Sequence, residues 1–139
     1  MQQRHHVLKL ATRGKGLYEF TREVLDWVAG SGIRSGLLTL FVRHTSASLL
    51  VQENADPTVQ ADLERFLSRL VPDGDPIFTH RMEGPDDMSA HARAALTQVH
   101  LSIPLVDGNL ALGTWQGIFL FEHRVDPMQR QVALHLLGE

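Results

Sequence analysis

The 139-residue chain contains no cysteine, which removes disulfide scaffolds, thiolate zinc sites, iron–sulfur clusters and cysteine nucleophiles. Any chemistry has to come from histidine, carboxylates, hydroxyls or the backbone. No stretch reaches the roughly 20 apolar residues of a membrane span. The polar opening Met1-Gln-Gln-Arg-His-His6 is not followed by the apolar region of a signal peptide. These absences point to a cytoplasmic protein without a membrane partner. A basic excess is missing too: 13 Lys plus Arg face 16 Asp plus Glu, a formal net charge of −3, so the electrostatic footprint of a nucleic-acid binder is lacking. What is present is 43% hydrophobic and 21% charged residues, the composition of one compact domain. A chain of this length buries roughly two-thirds of its unfolded surface without a structural staple. Residues 1–139 therefore read as a single domain, in which a metal would serve function rather than folding.

Short alternating runs interleave with helical patterns, which predicts an α+β fold with about three helices. His6, Leu8 and Leu10 open a strand, and the glycines of Thr12-Arg-Gly-Lys-Gly16 mark a turn without P-loop spacing. Phe20, Val24, Trp27 and Val28 share a helical face, with Thr21 as expected N-cap, and this helix ends around Gly30 to Gly32. Gly36 to His44 is a strand apolar on both faces, which predicts either a central strand or one covered by a partner subunit. Leu49 to Val51 forms another short strand. Asp56 before Pro57 starts a second helix, whose expected apolar stripe is Val59, Leu63, Phe66, Leu67 and Leu70. Val71 to Pro85 has no period and holds His80; loops this long in compact domains tend to carry function. A third helix begins near Asp86 or Asp87, with an expected stripe of Met88, Ala92, Ala95, Leu96 and Val99. Leu101 to Val106, a turn at Asp107-Gly-Asn109, a return strand to Leu112, and strands at Gly117 to Arg124 and Gln131 to Leu137 complete the chain.

Eight histidines stand against one tyrosine, and histidine both binds metal and titrates near neutrality. His44 at a strand end and His80 in the long loop each have an ordinary reading as hydrogen-bonded residues beside the functional one. His91 is the stronger case: Asp87, one helical turn earlier, reaches its ring and fixes its tautomer. Asp87 could equally cap the helix. No HExxH or HxH spacing supplies two metal ligands locally. The hydroxyls of Thr45, Ser46 and Ser48 could hold phosphate oxygens, with Arg43 or Arg124 neutralising them, or could be strand-edge polarity. Trp115 and Gln116, between Gly113 and Gly117, suit a flat heterocycle, or place the Trp in a subunit contact. Glu122 and His123 point to opposite faces of their strand, His123 alongside Phe119 and Phe121.

Four segments in order, His44-Thr-Ser-Ala-Ser48, Glu53-Asn-Ala-Asp-Pro57, Glu83-Gly-Pro-Asp-Asp-Met88 with His91, and Gly113-Thr-Trp-Gln-Gly117 with Glu122-His-Arg124, resemble the YjbQ family, also called the secondary thiamine-phosphate synthase enzyme family. The resemblance implies an α+β fold with a mixed sheet, a homotrimer with its polar motifs near subunit boundaries, and a weak thiamine-phosphate synthase activity. That reaction joins a hydroxymethylpyrimidine pyrophosphate to a thiazole phosphate and releases pyrophosphate. Many relatives carry Cys where this chain has Ala55, which argues against a cysteine mechanism here. By carry-over of the matched motifs, His44, His80 and His91 surround one pocket and hold a divalent metal, Zn or Mg. Asp87 then orients His91, and Glu53, Asn54, Trp115 and Gln116 complete the wall. On this basis His44, Glu53 and Asp87 are the expected catalytic residues, and Thr45, Ser46, Ser48, Asn54, Trp115, Gln116 and Arg124 bind a small phosphorylated substrate. Two other readings stand beside the transferase: a zinc-dependent hydrolase of a small phosphorylated or amide metabolite, with Glu53 or Asp87 as base, and a non-catalytic trimer that binds an anion or metabolite.

Overall fold

The computed structural model describes residues 1–139. In chain order the elements are β1 (Gln2–Thr12), β2 (Gly16–Glu19), α1 (Thr21–Ala29), β3 (Gly36–Val42), β4 (Ala47–Glu53), α2 (Pro57–Leu70), α3 (Asp87–Leu96), β5 (His100–Val106), β6 (Asn109–Leu110), β7 (Gln116–Glu122) and β8 (Met128–Gly138). The α+β class with three helices is what the chain adopts. Its strands divide between a five-stranded sheet, β1-β8-β3-β5-β6, and a three-stranded sheet, β2-β7-β4, and every ladder is antiparallel. No helix is long and apolar enough to cross a membrane.

Period-two alternation builds the core. Leu38, Leu40 and Val42 of β3, Leu101, Ile103 and Leu105 of β5, and Val132, Leu134 and Leu136 of β8 point inward from the larger sheet. Ala47, Leu49, Ile118 and Leu120 of the smaller sheet meet them, with Phe20, Val24 and Val28 of the α1 region. Burying side chains of this kind stabilises by about 1.5–3 kcal/mol each. One cluster thus ties both sheets together. The other face of β3 is open: Leu37 is 44% and Phe41 49% exposed. At one end of β3 the paired residues Gly36 and Gly138 pass so closely that a Cβ on Gly36 would lie 2.1 Å from the Leu137 carbonyl oxygen.

Three local expectations need correction. Phe20, not Thr21, occupies the N-cap position of α1 and provides no side-chain cap. The Thr21 hydroxyl instead accepts the Ile118 N–H at 2.9 Å and bonds Glu19 at 2.7 Å, tying α1 to the sheet. In α2 the Asp56 cap forms, its carboxylate accepting the Thr58 N–H at 2.9 Å with Pro57 in the first turn. Only Leu67 of its expected stripe is buried, however, and Phe66 stays 59% exposed. The third correction concerns α3, which buries Asp87, Ser89, Ala90, Arg93 and Ala94 while Leu96 is 62% exposed. The reason is a polar anchor. Arg93 donates to the Val71 carbonyl at 2.8 and 3.2 Å and to Asp73 at 3.3 Å, and Ser89 bonds Asp73 and the Asp86 carbonyl. These bonds turn the helix away from the orientation that its apolar residues alone would choose.

The return strand after the Asp107-Gly108 turn is also shorter than expected, Asn109–Leu110 only. Both turn residues have positive φ, 51° and 84°, as a two-residue hairpin turn requires. The long loop after α2 forms no helix or strand but is closed on itself, the Gly74 N–H donating to the Pro85 carbonyl at 2.9 Å. That closure brings His80 back to the start of α3.

Candidate metal centre

Asp87 opens α3 and is nearly inaccessible, its side chain 2% exposed. A carboxylate buried this deeply needs partners for both oxygens. Oδ1 accepts from Arg124 Nη1 at 2.8 Å. The same guanidinium donates through Nε to Asp86 Oδ2 at 2.9 Å and through Nη2 to the Glu83 carbonyl at 3.0 Å. Arg124 therefore clamps the loop before α3 onto the end of β7, and the Val125 N–H adds a bond to Asp86 at 3.0 Å. Burial of the guanidinium lowers the Arg124 pKa, but Asp86, together with Asp87 and Glu83, outweighs it and holds the group above its ordinary value. Oδ2 of Asp87 is left facing two rings, His80 Nε2 at 2.7 Å and His91 Nε2 at 3.1 Å. Burial pushes the Asp87 pKa up, but the His80 hydrogen bond, the His91 ring and Arg124 outweigh it, and the group stays below the usual carboxylate value.

The three ligating atoms of His80, Asp87 and His91 lie within 4.8 Å of one another. The His91 ring shows what this triangle lacks. Its Nδ1 sits 2.9 Å from the Thr45 carbonyl oxygen, which can only accept, so Nδ1 carries the proton. Its Nε2 then faces a carboxylate oxygen at 3.1 Å. Either a proton or a cation lies between these two atoms. His80 is the open side of the site, its side chain 46% exposed against 30% for His91. A cavity of about 250 Å³ lined by Phe78, His80, Arg81, Pro85 and Met88 flanks one side. A shallower groove of about 450 Å³ containing His44, Thr45 and His91 flanks the other.

Of the residues expected around one pocket, the structure brings together His80, Asp87 and His91, with Arg124 behind them. His44 lies outside the triangle, its Nε2 accepting the Gln131 N–H at 2.8 Å. The hydroxyl cluster does not converge on a ligand position. Ser46 is buried against Arg130 at 2.9 Å, Ser48 is buried against His123 Nε2 at 2.9 Å, and only Thr45 is exposed. Glu53, Asn54, Trp115 and Gln116 form a separate group: Glu53 pairs with Gln116 at one end of the β4–β7 ladder, and Ala47 pairs with Glu122 at the other. Six residues of extended chain separate these ends, roughly 20 Å. Glu53 accepts the Asp56 N–H at 3.0 Å, the Asn54 N–H donates to the Trp115 carbonyl at 2.9 Å, and Trp115 is 63% exposed.

Several contributors escape sequence reasoning. Asp86, the Glu83 carbonyl and the Thr45 carbonyl shape the centre, yet the only sequence signal for any of them is the acidic pair after Gly84-Pro85. Beneath the site Glu122 is wholly buried and paired with Arg130, which reaches it through Nε at 2.8 Å, and the Thr12 hydroxyl adds a bond at 2.6 Å.

Comparison with known proteins places this architecture. The family model described as "UPF0047 protein YjbQ-like" matches residues 6–139. A UPF0047 protein of Synechocystis is 51% identical over 99% of this chain and 94% of its own length. The UPF0047 protein YjbQ of Salmonella typhimurium is 42% identical over 95% of this chain and 96% of its own. Among solved structures, a conserved hypothetical protein of Thermus thermophilus superposes with a TM-score of 0.84 at 40% identity, covering 95% of this chain and 99% of that one. The arrangement that clamps His80, Asp87 and His91 thus lies within the matched span, and the chain belongs to the YjbQ-like UPF0047 family.

Proposed function

We propose that the chain is a divalent-metal-dependent hydrolase of a small phosphorylated metabolite, with the cation held by His80, Asp87 and His91. The observation that carries this reading is the convergence of His80 Nε2, His91 Nε2 and Asp87 Oδ2, with the His91 ring fixed by Nδ1–H on the Thr45 carbonyl. A cation held there takes Asp87 Oδ2 and His91 Nε2 as two ligands, and His80 Nε2 supplies a third. Two imidazoles and one carboxylate favour zinc or a neighbouring transition metal over magnesium or calcium. Three protein ligands leave positions for water and a substrate oxygen, the pattern of catalytic rather than structural zinc. Arg124 holds Asp87 in place from behind, as outer partners of metal ligands do.

Elemental analysis of purified protein tests this directly. Near-stoichiometric zinc in the wild type, lost in both His80→Ala and His91→Ala, is the expected result; His5 and His6 remain in both variants and so report their own background. Equal metal in all three proteins would sink the site. Release of inorganic phosphate from a panel of phosphate monoesters then tests hydrolysis. The pyrophosphate-releasing transfer suggested by the family resemblance would use the same centre to neutralise its leaving group, and pyrophosphate detection separates the two.

Self-association into a homotrimer belongs to the same reading. Leu37, Phe41, Val106 and Leu137 are between 41% and 53% exposed on the outward side of adjacent strands of the larger sheet. A second copy is also the only means of bringing Glu53, Asn54, Trp115 and Gln116 to the metal centre, since the ladder holds them at its far end.

A further inference from the structure

The groove beside the centre, lined by His44, Thr45, His91, Ala94, Ala95 and Val99, combines two features that the metal reading leaves unused. One is a proton fixed in place. His44 Nε2 accepts the backbone N–H of Gln131 at 2.8 Å, so that nitrogen keeps its lone pair and the ring proton sits on Nδ1. A doubly protonated ring would set N–H against N–H. Burial and the charge of Arg130 act the same way, and with Arg43 they outweigh Glu122 to hold the His44 pKa below its ordinary value. Nδ1–H is the ring's remaining polar group, and the groove is the space the ring lines. The second feature is the groove's composition. His91, a ligand of the proposed cation, forms one wall; Ala94, Ala95 and Val99 form an apolar strip; the exposed Thr45 lies between His91 and His44.

We infer that this groove binds the substrate, a small organic phosphate with one oxygen toward the His80–Asp87–His91 cation, a second accepting the His44 Nδ1–H, and its organic part on Ala94, Ala95 and Val99. The inference rests on the metal-centre reading. A tetrahedral phosphoryl group suits the site because its oxygens point in several directions, so one can face the cation while another faces a donor across the groove. His44 is on this account a substrate-binding donor and not a metal ligand, because its only lone pair is spent on Gln131.

Two substitutions separate these roles. His44→Gln places an amide oxygen where Nε2 accepts and removes the donor at Nδ1; His44→Asn places an amide N–H near Nδ1. Phenylphosphonate binding to the zinc-loaded proteins by titration calorimetry, with zinc affinity measured on each, gives the readout. The expected result is unchanged zinc affinity in both, phenylphosphonate weakened roughly 10- to 100-fold in His44→Gln, the range for a hydrogen bond to a charged group, and partial recovery in His44→Asn. Equal phenylphosphonate affinity in wild type and His44→Gln overturns the inference, as does loss of zinc in His44→Gln, which would make His44 a ligand. Benzoate binding as tightly as phenylphosphonate overturns the phosphoryl assignment. Failure of the wild type to bind zinc at all overturns the metal reading instead, so the two failures are distinct.

Discussion

His123 is wholly buried, 4.5 Å ring to ring from Phe121, and its Nδ1 has no hydrogen-bond partner. Its Nε2 lies 2.9 Å from Ser48 Oγ, which lies 2.7 Å from Thr97 Oγ1, itself 2.8 Å from the Arg93 carbonyl. The carbonyl can only accept, so the single Thr97 proton goes to it, Ser48 donates to Thr97, and His123 donates from Nε2 to Ser48. The orphaned Nδ1 is then a bare lone pair, a smaller cost than a buried N–H without an acceptor. Burial, reinforced by Arg93, Arg130 and Lys15, pushes the His123 pKa down to about 3. The unfolded ring takes up a proton below about 6.5 while the folded one resists until about 3, so the unfolded state binds more protons across this window. Full stability is present above the window and is lost as the pH falls through it, at a slope of at most about 1.4 kcal/mol per pH unit for one group. His44, also lowered, adds a loss of the same sign. Urea denaturation at several pH values should show the wild type losing stability well above the carboxylate range, with a shallower slope in His123→Gln. Identical slopes would show that His123 is not the source.

Among the elements, α2 and α3 both defy their apolar periodicity, for different reasons. In α2 the capping signal at Asp56 and Pro57 is local, so it survives into the structure. The stripe depends on neighbours, and they cover Leu67 fully while leaving Val59 and Leu63 half-buried and Phe66 and Leu70 exposed. Leu67→Ala should therefore cost about 2–5 kcal/mol. Phe66→Ala, at a 59% exposed position, should change stability by about 0.5 kcal/mol or less. Thermal or denaturant unfolding of the two single variants checks the contrast; a large loss in Phe66→Ala would mean that another chain covers this face. In α3 the side chains of Ser89 and Arg93 bond residues 16 to 22 positions earlier in the chain, and no helical spacing announces such partners.

At the scale of the whole molecule, the larger sheet has one face in the core and one bearing Leu37, Phe41 and Leu137 toward solvent. An exposed apolar row of this kind marks an interaction surface when it is contiguous. If it joins copies of the chain, sedimentation equilibrium gives a trimer for the wild type, and Phe41→Lys with Leu137→Lys gives a monomer. Because both positions lie outside the core, the double variant should keep its helical and strand content by circular dichroism. A monomeric wild type would overturn the self-association reading, and metal binding by the monomeric variant would show that one chain suffices for the three ligands.

Strand alternation, the Asp56–Pro57 helix start, the pairing of Asp87 with His91 one turn later and the opposed faces of Glu122 and His123 were all legible in the sequence, because each depends on local periodicity. The motifs that carry the family resemblance were legible as well. Tertiary structure decided the rest. It brought His80 to Asp87 through a closed loop, set His44 Nε2 on the Gln131 N–H, and fixed the His91 tautomer through a carbonyl 46 positions away. It also set Glu53 and Trp115 at the opposite end of the sheet from the histidines. Periodicity states which way a side chain faces along its own element; which donor meets which acceptor depends on how the elements pack, and in this protein that pairing assigns each histidine its place.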